Sequence, residues 1–272
     1  MKVAFAAARS SPGVTTAMLA CASVWPGKVL LVEASEDGGA LAARFGLPVE
    51  PGLTTLAAAS RHTSNGDGPA GLLAEHVQPL PGTDRIEVLV GPASLEPAQA
   101  LLRTAAGRVA GMLNETAIDV LIDAGRLTAA PLAGPLLAEA DRLVLVVRPR
   151  LEELTTLAHR LPHLTGLGPT PEVLLVGDRP YGPSEVADTL GVKVAGVLAH
   201  DPDAADALAA VGPTRRLARS PLLRSATGVV DPLASSMPRP ATTTDGSDDV
   251  ASSVNGHKVS VRGRLFTGRV RP

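Results

Sequence analysis

Between the apolar run Val3–Ala7 and a helix-forming run, AMLACASV, lies a stretch of small residues: Ala8-Arg9-Ser10-Ser11-Pro12-Gly13-Val14-Thr15-Thr16. Strand, tight small-residue loop, paired threonines and helix form the physical setting of a nucleotide phosphate site. Backbone N–H groups and the helix N-terminus would face an anion there. The Thr15 hydroxyl, just past the loop, would hold Mg²⁺. Arg9 is the one cation of the stretch, and its planar fork suits phosphate oxygens. The plainer reading of Arg9 is an exposed loop arginine with no nucleotide beside it.

Other constellations are weaker. His159 and His163 have the i, i+4 spacing of a metal pair, but Pro162 between them should end the helix and spoil a common face. Asp201-Pro202-Asp203 precedes the run AADALAAV, so either carboxylate would cap that helix rather than catalyse. No Gly-x-Ser-x-Gly elbow occurs. Cys21, the single cysteine, sits among Leu19, Ala20 and Ala22 and reads as an inert buried thiol, with no disulfide or cysteine–zinc cluster to join.

The elements that must position the loop are legible as seven apolar runs: Val3–Ala7, Val29–Glu33, Ile86–Val90, Ile118–Asp123, Leu143–Val147, Val173–Gly177 and Val192–Leu198. Most are continuously apolar, as strands buried on both faces of a parallel sheet are. Helix-period segments lie between them. Leu101, Leu102, Ala105, Val109 and Leu113 share one face, as do Leu151, Leu154, Leu157, Ala158 and Leu161. The alternation predicts an α/β fold: a doubly wound, mostly parallel sheet of about seven strands with helices on both faces. His62–Gly71 (HTSNGDGPAG) is expected to be a mobile surface loop.

From about Val230 the composition turns to Pro, Ser, Thr and Asp, which predicts a domain over 1–229 and a disordered tail over 230–272. The tail ends in a basic segment, 258–271, carrying Lys258, Arg262, Arg264, Arg269 and Arg271. It reads as a solvated end, or as a weak docking segment for an anionic membrane, nucleic acid or protein partner. Aromatics make up 2% of the 272 residues, which argues against stacking platforms for single-stranded nucleic acid. A formal charge of −2 steers the whole chain neither towards DNA nor away from it. With no signal peptide and no apolar run of membrane-spanning length, a cytoplasmic protein is expected, one that could also sit peripherally at an inner membrane.

The order of these segments resembles the ParA/MinD/Mrp group of deviant P-loop ATPases, whose loop reads KGGxGKTT. Aligned on Gly-x-Thr-Thr, Arg9 stands at the group's signature lysine, Gly13, Thr15 and Thr16 are kept, and Val14 falls at the phosphate-binding lysine. Lys28–Leu47 (KVLLVEASEDGGALAARFGL) is similar to the group's second-strand segment, VLLVDxDxxxxNLxxxLGL. Asp119–Leu127 (DVLIDAGRL) is similar to DxxxxDxPP, with Asp123 at the Mg-side carboxylate. Ala140–Leu157 (ADRLVLVVRPRLEELTTL) and Val192–Gly212 match two later segments, so the likeness spans residues 1–225.

The resemblance implies a P-loop NTPase fold and a homodimer. It also implies ATP and Mg²⁺ as cofactors, bound by Arg9, Ser10, Ser11, Pro12, Gly13, Val14, Thr15, Thr16 and Asp178, with Thr15 and Asp123 on the metal. Asp178, in VGDRPYG, stands where the group often carries an adenine-reading Asn, and a turn residue is the alternative. Tyr181 could cover a base or simply pack. The departures point away from turnover. Val14 carries no charge, the second-strand aspartates are replaced by Glu33 and Ser35, and Glu36 and Asp37 are displaced in register. No residue is therefore assigned as catalytic, Arg9 being the one candidate.

The expected function is a degenerate ParA/MinD-like positioning or assembly factor with weak or no ATP hydrolysis, serving partitioning or a pilus or secretion apparatus. The TadZ/CpaE-like pilus-localising type is the nearest subfamily. A slow ATPase using Arg9, and a partner-binding module independent of nucleotide, are the alternatives.

Overall fold

The computed structural model describes residues 1–9, 12–61, 68–214 and 216–235. The chain opens with strand β1 (Lys2–Ala7), helix α1 (Val14–Ser23) and strand β2 (Val29–Glu33). Three short helices follow, α2 (Leu41–Phe45), α3 (Leu53–Ala59) and α4 (Gly68–Ala74), then strands β3 (Gln78–Pro79) and β4 (Ile86–Leu89). Helix α5 (Leu95–Asn114) leads to β5 (Asp119–Arg126), α6 (Gly134–Ala138) to β6 (Arg142–Val147), and α7 (Leu151–Leu164) to β7 (Pro171–Val176). Helix α8 (Pro183–Leu190) leads to β8 (Val194–Leu198), which α9 (Pro202–Val211), a 3-10 turn (Leu217–Arg219) and α10 (Pro221–Ser235) follow.

The strands form one eight-stranded sheet in the order β3-β4-β2-β5-β1-β6-β7-β8. Every pairing is parallel except β3 with β4. Side chains alternate between two apolar clusters: Val3, Phe5 and Ala7 of β1 join α1, α9 and α10, while Ala4, Ala6 and Ala8 join α3, α5, α6 and α7. Both faces are covered, so both parities must be apolar, which explains continuous rather than alternating runs. Because β2, β5 and β1 are neighbours and parallel, the loops leaving their C-terminal ends meet where α1 begins.

All seven expected strands form, and an eighth is added. It is the two-residue edge strand β3, whose Pro79 is tolerated because an edge needs no donor on its open side. Helix α7 does not end at Pro162 but runs on to Leu164. The proline falls in the last turn, where the missing bond leaves the carbonyl of exposed Ala158 to solvent. Leu151 and Ala158 lie outside the buried face assigned to them. Glu153 is buried instead, its Oε2 accepting from the Arg148 N–H at 2.9 Å and fastening the turn between β6 and α7.

Of the expected loop His62–Gly71, residues 62–67 lie outside the described residues, and Gly68 already begins α4. Helix α10 carries order past the boundary expected at 229, with Val230 and Leu233 buried. The rest of the expected tail, with the basic segment 258–271, lies outside the described residues. Among those described, no helix is long and apolar enough to cross a membrane.

Candidate functional site

Gly13 stands just before α1 with φ 98°. A side chain in that left-handed region is strained, which explains the glycine. Its carbonyl accepts the first helical bond, from Ala17 N at 2.8 Å. Val14 begins the helix, almost fully buried in the cluster beneath α1. One residue on, the Thr15 hydroxyl donates to Oδ2 of Asp123 at 2.5 Å, and the Gly125 N–H donates to Oδ1 at 2.9 Å. Burial pushes the Asp123 carboxyl above its ordinary value, against the pull of those two bonds and of the Arg44 charge.

The carboxylates after β2 are largely engaged by backbone. Oε1 of Glu33 accepts from the N–H groups of Ala40 and Leu41 at 2.7 and 2.8 Å, and Oε2 accepts from Gly91 at 3.2 Å. Its carboxyl is raised by burial, lowered by those bonds and raised again by nearby Asp123, with a net upward shift. Glu33 thus ties the start of α2 to the end of β4. Glu36, also buried, accepts from the Leu132 N–H at 2.5 Å and holds the segment after β5. Asp37 pairs with Arg126 at 3.3 Å with both side chains about half exposed, a contact of little energy. At Ser35, Oγ accepts from the Asp37 N–H at 3.2 Å.

Two cavities of about 220 Å³ each open on either side of Gly13 and Thr16. The first is lined by Val14, Thr15, Glu33, Asp123 and the side chains of Arg44 and Arg126. The second is lined by Pro12, Arg148, His200 and Asp201. Asp201 caps α9, accepting from Ala204 N at 3.2 Å, and reaches Leu222 N of α10 at 3.4 Å. Nη1 of Arg44 and Nε of Arg148 are buried without a hydrogen-bond partner.

Of the loop residues named from sequence, Pro12, Gly13, Val14, Thr15 and Thr16 border the cavities, and Thr15 meets Asp123 directly. Ser10 and Ser11 lie outside the described residues. Arg9 lines neither cavity; its Nη1 donates to the Thr156 hydroxyl of α7 at 3.2 Å, while Arg160 of the same helix donates to the Ala8 carbonyl. Asp178 is exposed beyond Gly177 and also lines neither cavity. Tyr181 packs against the core. His159 and His163 are both exposed on α7, and among the described residues no three His, Cys, Asp or Glu side chains gather as metal ligands would.

Sequence reasoning missed Arg44 and Arg148. Each follows a recognisable segment, but a lone arginine in a helix or after a strand carries no spacing signal.

The donor set fits a magnesium nucleotide. A hydroxyl and a carboxylate in contact suit a hard divalent cation, and arginines lining the cavities beside a glycine-led helix start suit phosphate oxygens.

A doubly wound sheet with this order, a glycine-led α1 after β1 and a carboxylate in β5 level with the end of β2 make up a P-loop-type layout. More narrowly, the chain has the fold of the ParA/MinD-type P-loop ATPases. The ParA family ATPase from Chlorobium tepidum TLS superposes with a TM-score of 0.69 at 18% identity, covering 84% of this chain and 96% of that one. The cell division ATPase MinD of Pyrococcus furiosus gives 0.66 at 15% identity, over 86% and 98%. The ATP complex of a Cyanothece McdA variant gives 0.64 at 16% identity, over 88% and 98%. No family model and no curated protein sequence matches the chain.

Proposed function

We propose that the chain is a positioning or assembly factor of the ParA/MinD type that binds ATP with Mg²⁺ and hydrolyses it weakly or not at all. One observation carries this reading: the Thr15–Asp123 contact stands assembled beside Gly13, while the adjoining position is Val14. Phosphoryl transfer depends on stabilising charge that spreads over the terminal phosphate oxygens. Loss of one preorganised donor costs on the order of a hundredfold in rate, or about 3 kcal/mol. No free carboxylate stands at the end of β2 either: Glu33 and Glu36 are held by backbone donors, position 35 is a serine, and Asp37, which lines the cavity, is paired with Arg126.

Thr15 and Asp123 would hold the metal, which would neutralise phosphate charge when bound. Pro12, Gly13 and Thr16 would border the nucleotide on either side. A homodimer that recruits a protein partner belongs to the same proposal, and the MinC:MinD cell division protein complex of Aquifex aeolicus, which shares the fold, supports the partner. A pilus-localising role of the TadZ/CpaE type is the finer form of the proposal.

A thermal-shift titration with Mg-ATP tests it. Ligand at a hundred times its dissociation constant stabilises by about 2.7 kcal/mol, so a clear upward shift is expected, with phosphate release at background. No shift at millimolar nucleotide would overturn the reading in favour of a nucleotide-independent module. Sustained release abolished by Arg9→Ala would establish the slow ATPase instead.

A further inference from the structure

We infer that two arginines from outside the loop, Arg44 of α2 and Arg148 just after β6, hold the phosphates of the nucleotide in place of a loop lysine. The inference rests on the nucleotide-binding reading above and names the residues that give it charge. The loop itself offers none at the cavities, because Val14 is apolar and Arg9 is turned to Thr156. Arg44 and Arg148 approach Gly13 and Thr16 from opposite sides, each lining one of the two cavities.

Each also carries a buried guanidinium nitrogen with no partner: Nη1 of Arg44 and Nε of Arg148. Buried polar groups are almost always satisfied, so each of these arginines beside the glycine-led helix start keeps unused donor capacity. Guanidinium offers parallel donors that match phosphate oxygens.

The two positions differ in what they reach. Arg44 shares its cavity with Thr15 and Asp123, the oxygen pair suited to Mg²⁺, and its charge already acts on Asp123. Thr15 and Asp123 would hold a metal there to neutralise phosphate charge, so Arg44, on the metal's side, serves the terminal phosphate. Arg148 lies with His200 and Asp201 on the far side, towards β7 and β8, and serves the part common to ATP and ADP. Glu33 positions Arg44. It fixes the N–H groups of Ala40 and Leu41, and Arg44 N bonds the Ala40 carbonyl at 3.0 Å one turn later.

The test measures dissociation constants of Mg-ATP and Mg-ADP by calorimetry on the full chain and on Arg44→Ala, Arg44→Lys and Arg148→Ala. Arg44→Ala should weaken ATP by about tenfold or more, the size of a charged hydrogen bond, and leave ADP nearly unchanged. Arg148→Ala should weaken both nucleotides alike, and Arg44→Lys should recover part of the preference for ATP. Retained ADP binding shows that the Arg44→Ala protein is folded. Should that variant fail to fold, Arg44→Gln, which keeps part of the length and loses the charge, decides: an ATP-to-ADP ratio indistinguishable from the parent's overturns the role of Arg44. If the parent binds and Arg44→Ala keeps its ATP affinity, the inference fails and the nucleotide reading stands. If the parent binds neither nucleotide, both fall.

Discussion

Glu33→Ala removes, in one step, the acceptor for the backbone N–H groups of Ala40, Leu41 and Gly91. The side chain is 3% exposed, so those donors lose their partner in a site that water enters only through the adjoining cavity. An unsatisfied buried donor costs about 1–3 kcal/mol. The sum is reduced because the carboxylate is itself unfavourable to bury, as its raised pKa shows, and because water can reach part of the space. A net loss of about 3 kcal/mol is expected. For a chain of this size that lowers Tm by about 6–12 °C.

Glu33→Gln keeps one oxygen for Ala40 and Leu41 but turns an amide NH₂ towards the Gly91 N–H, and should cost about 1 kcal/mol. Urea unfolding followed by the fluorescence of Trp25, the sole tryptophan and fully buried, gives both numbers. A Glu33→Ala protein within about 0.5 kcal/mol of the parent, the range of an ordinary surface change, would refute the clamp. Arg44 would then be positioned by something other than Glu33.

Two further perturbations address the charges of the site. Asp123 and Glu33 both have carboxyls raised by burial, so the stability they contribute is full below the ordinary carboxylate pKa of ~4 and is lost as pH rises through the raised values. Asp123→Asn, which cannot ionise, should therefore gain Tm relative to the parent as pH rises above the ordinary carboxylate pKa of ~4; a difference that stays flat across a pH series would refute the upward shift. Val14→Lys places an ammonium at the mouth of the first cavity and should tighten Mg-ATP by about tenfold. Phosphate release should remain near background, since Glu33 stays clamped and position 35 stays a serine. Rapid turnover from Val14→Lys alone would show that the lysine was the single missing part.

The fold was legible because its physics is periodic. Both faces of the sheet are covered, so each strand is an unbroken apolar run, and seven such runs separated by helix-period segments leave few arrangements open. What escaped notice lacks that periodicity. Gln78–Pro79 is too short to have a pattern, and it pairs only because β4 presents an open edge. Pro162 reads as a stop in isolation, yet a last turn tolerates one missing bond where solvent can replace it.

Within the site, Thr15 and Asp123 could be placed because Thr15 adjoins the start of α1 and Asp123 closes the apolar run of β5. The loop's backbone sets one and the strand sets the other. Arg44 and Arg148 could not, because their convergence is a property of the sheet order, which brings the loops after β2 and β6 to opposite flanks of α1.

That convergence also bears on why Glu33 is a glutamate. A carboxylate at the end of β2 could serve chemistry only if its oxygens were free to meet water. The longer side chain instead reaches around to three N–H groups and closes against Gly39, where a Cβ would stand 2.5 Å from Oε2. The same reach fixes α2 and brings Arg44 to the cavity. On the proposed reading, one change in side-chain length would withdraw a base from the terminal-phosphate side and position a cation there. The two effects are coupled by geometry, and both would favour holding a nucleotide over cleaving it.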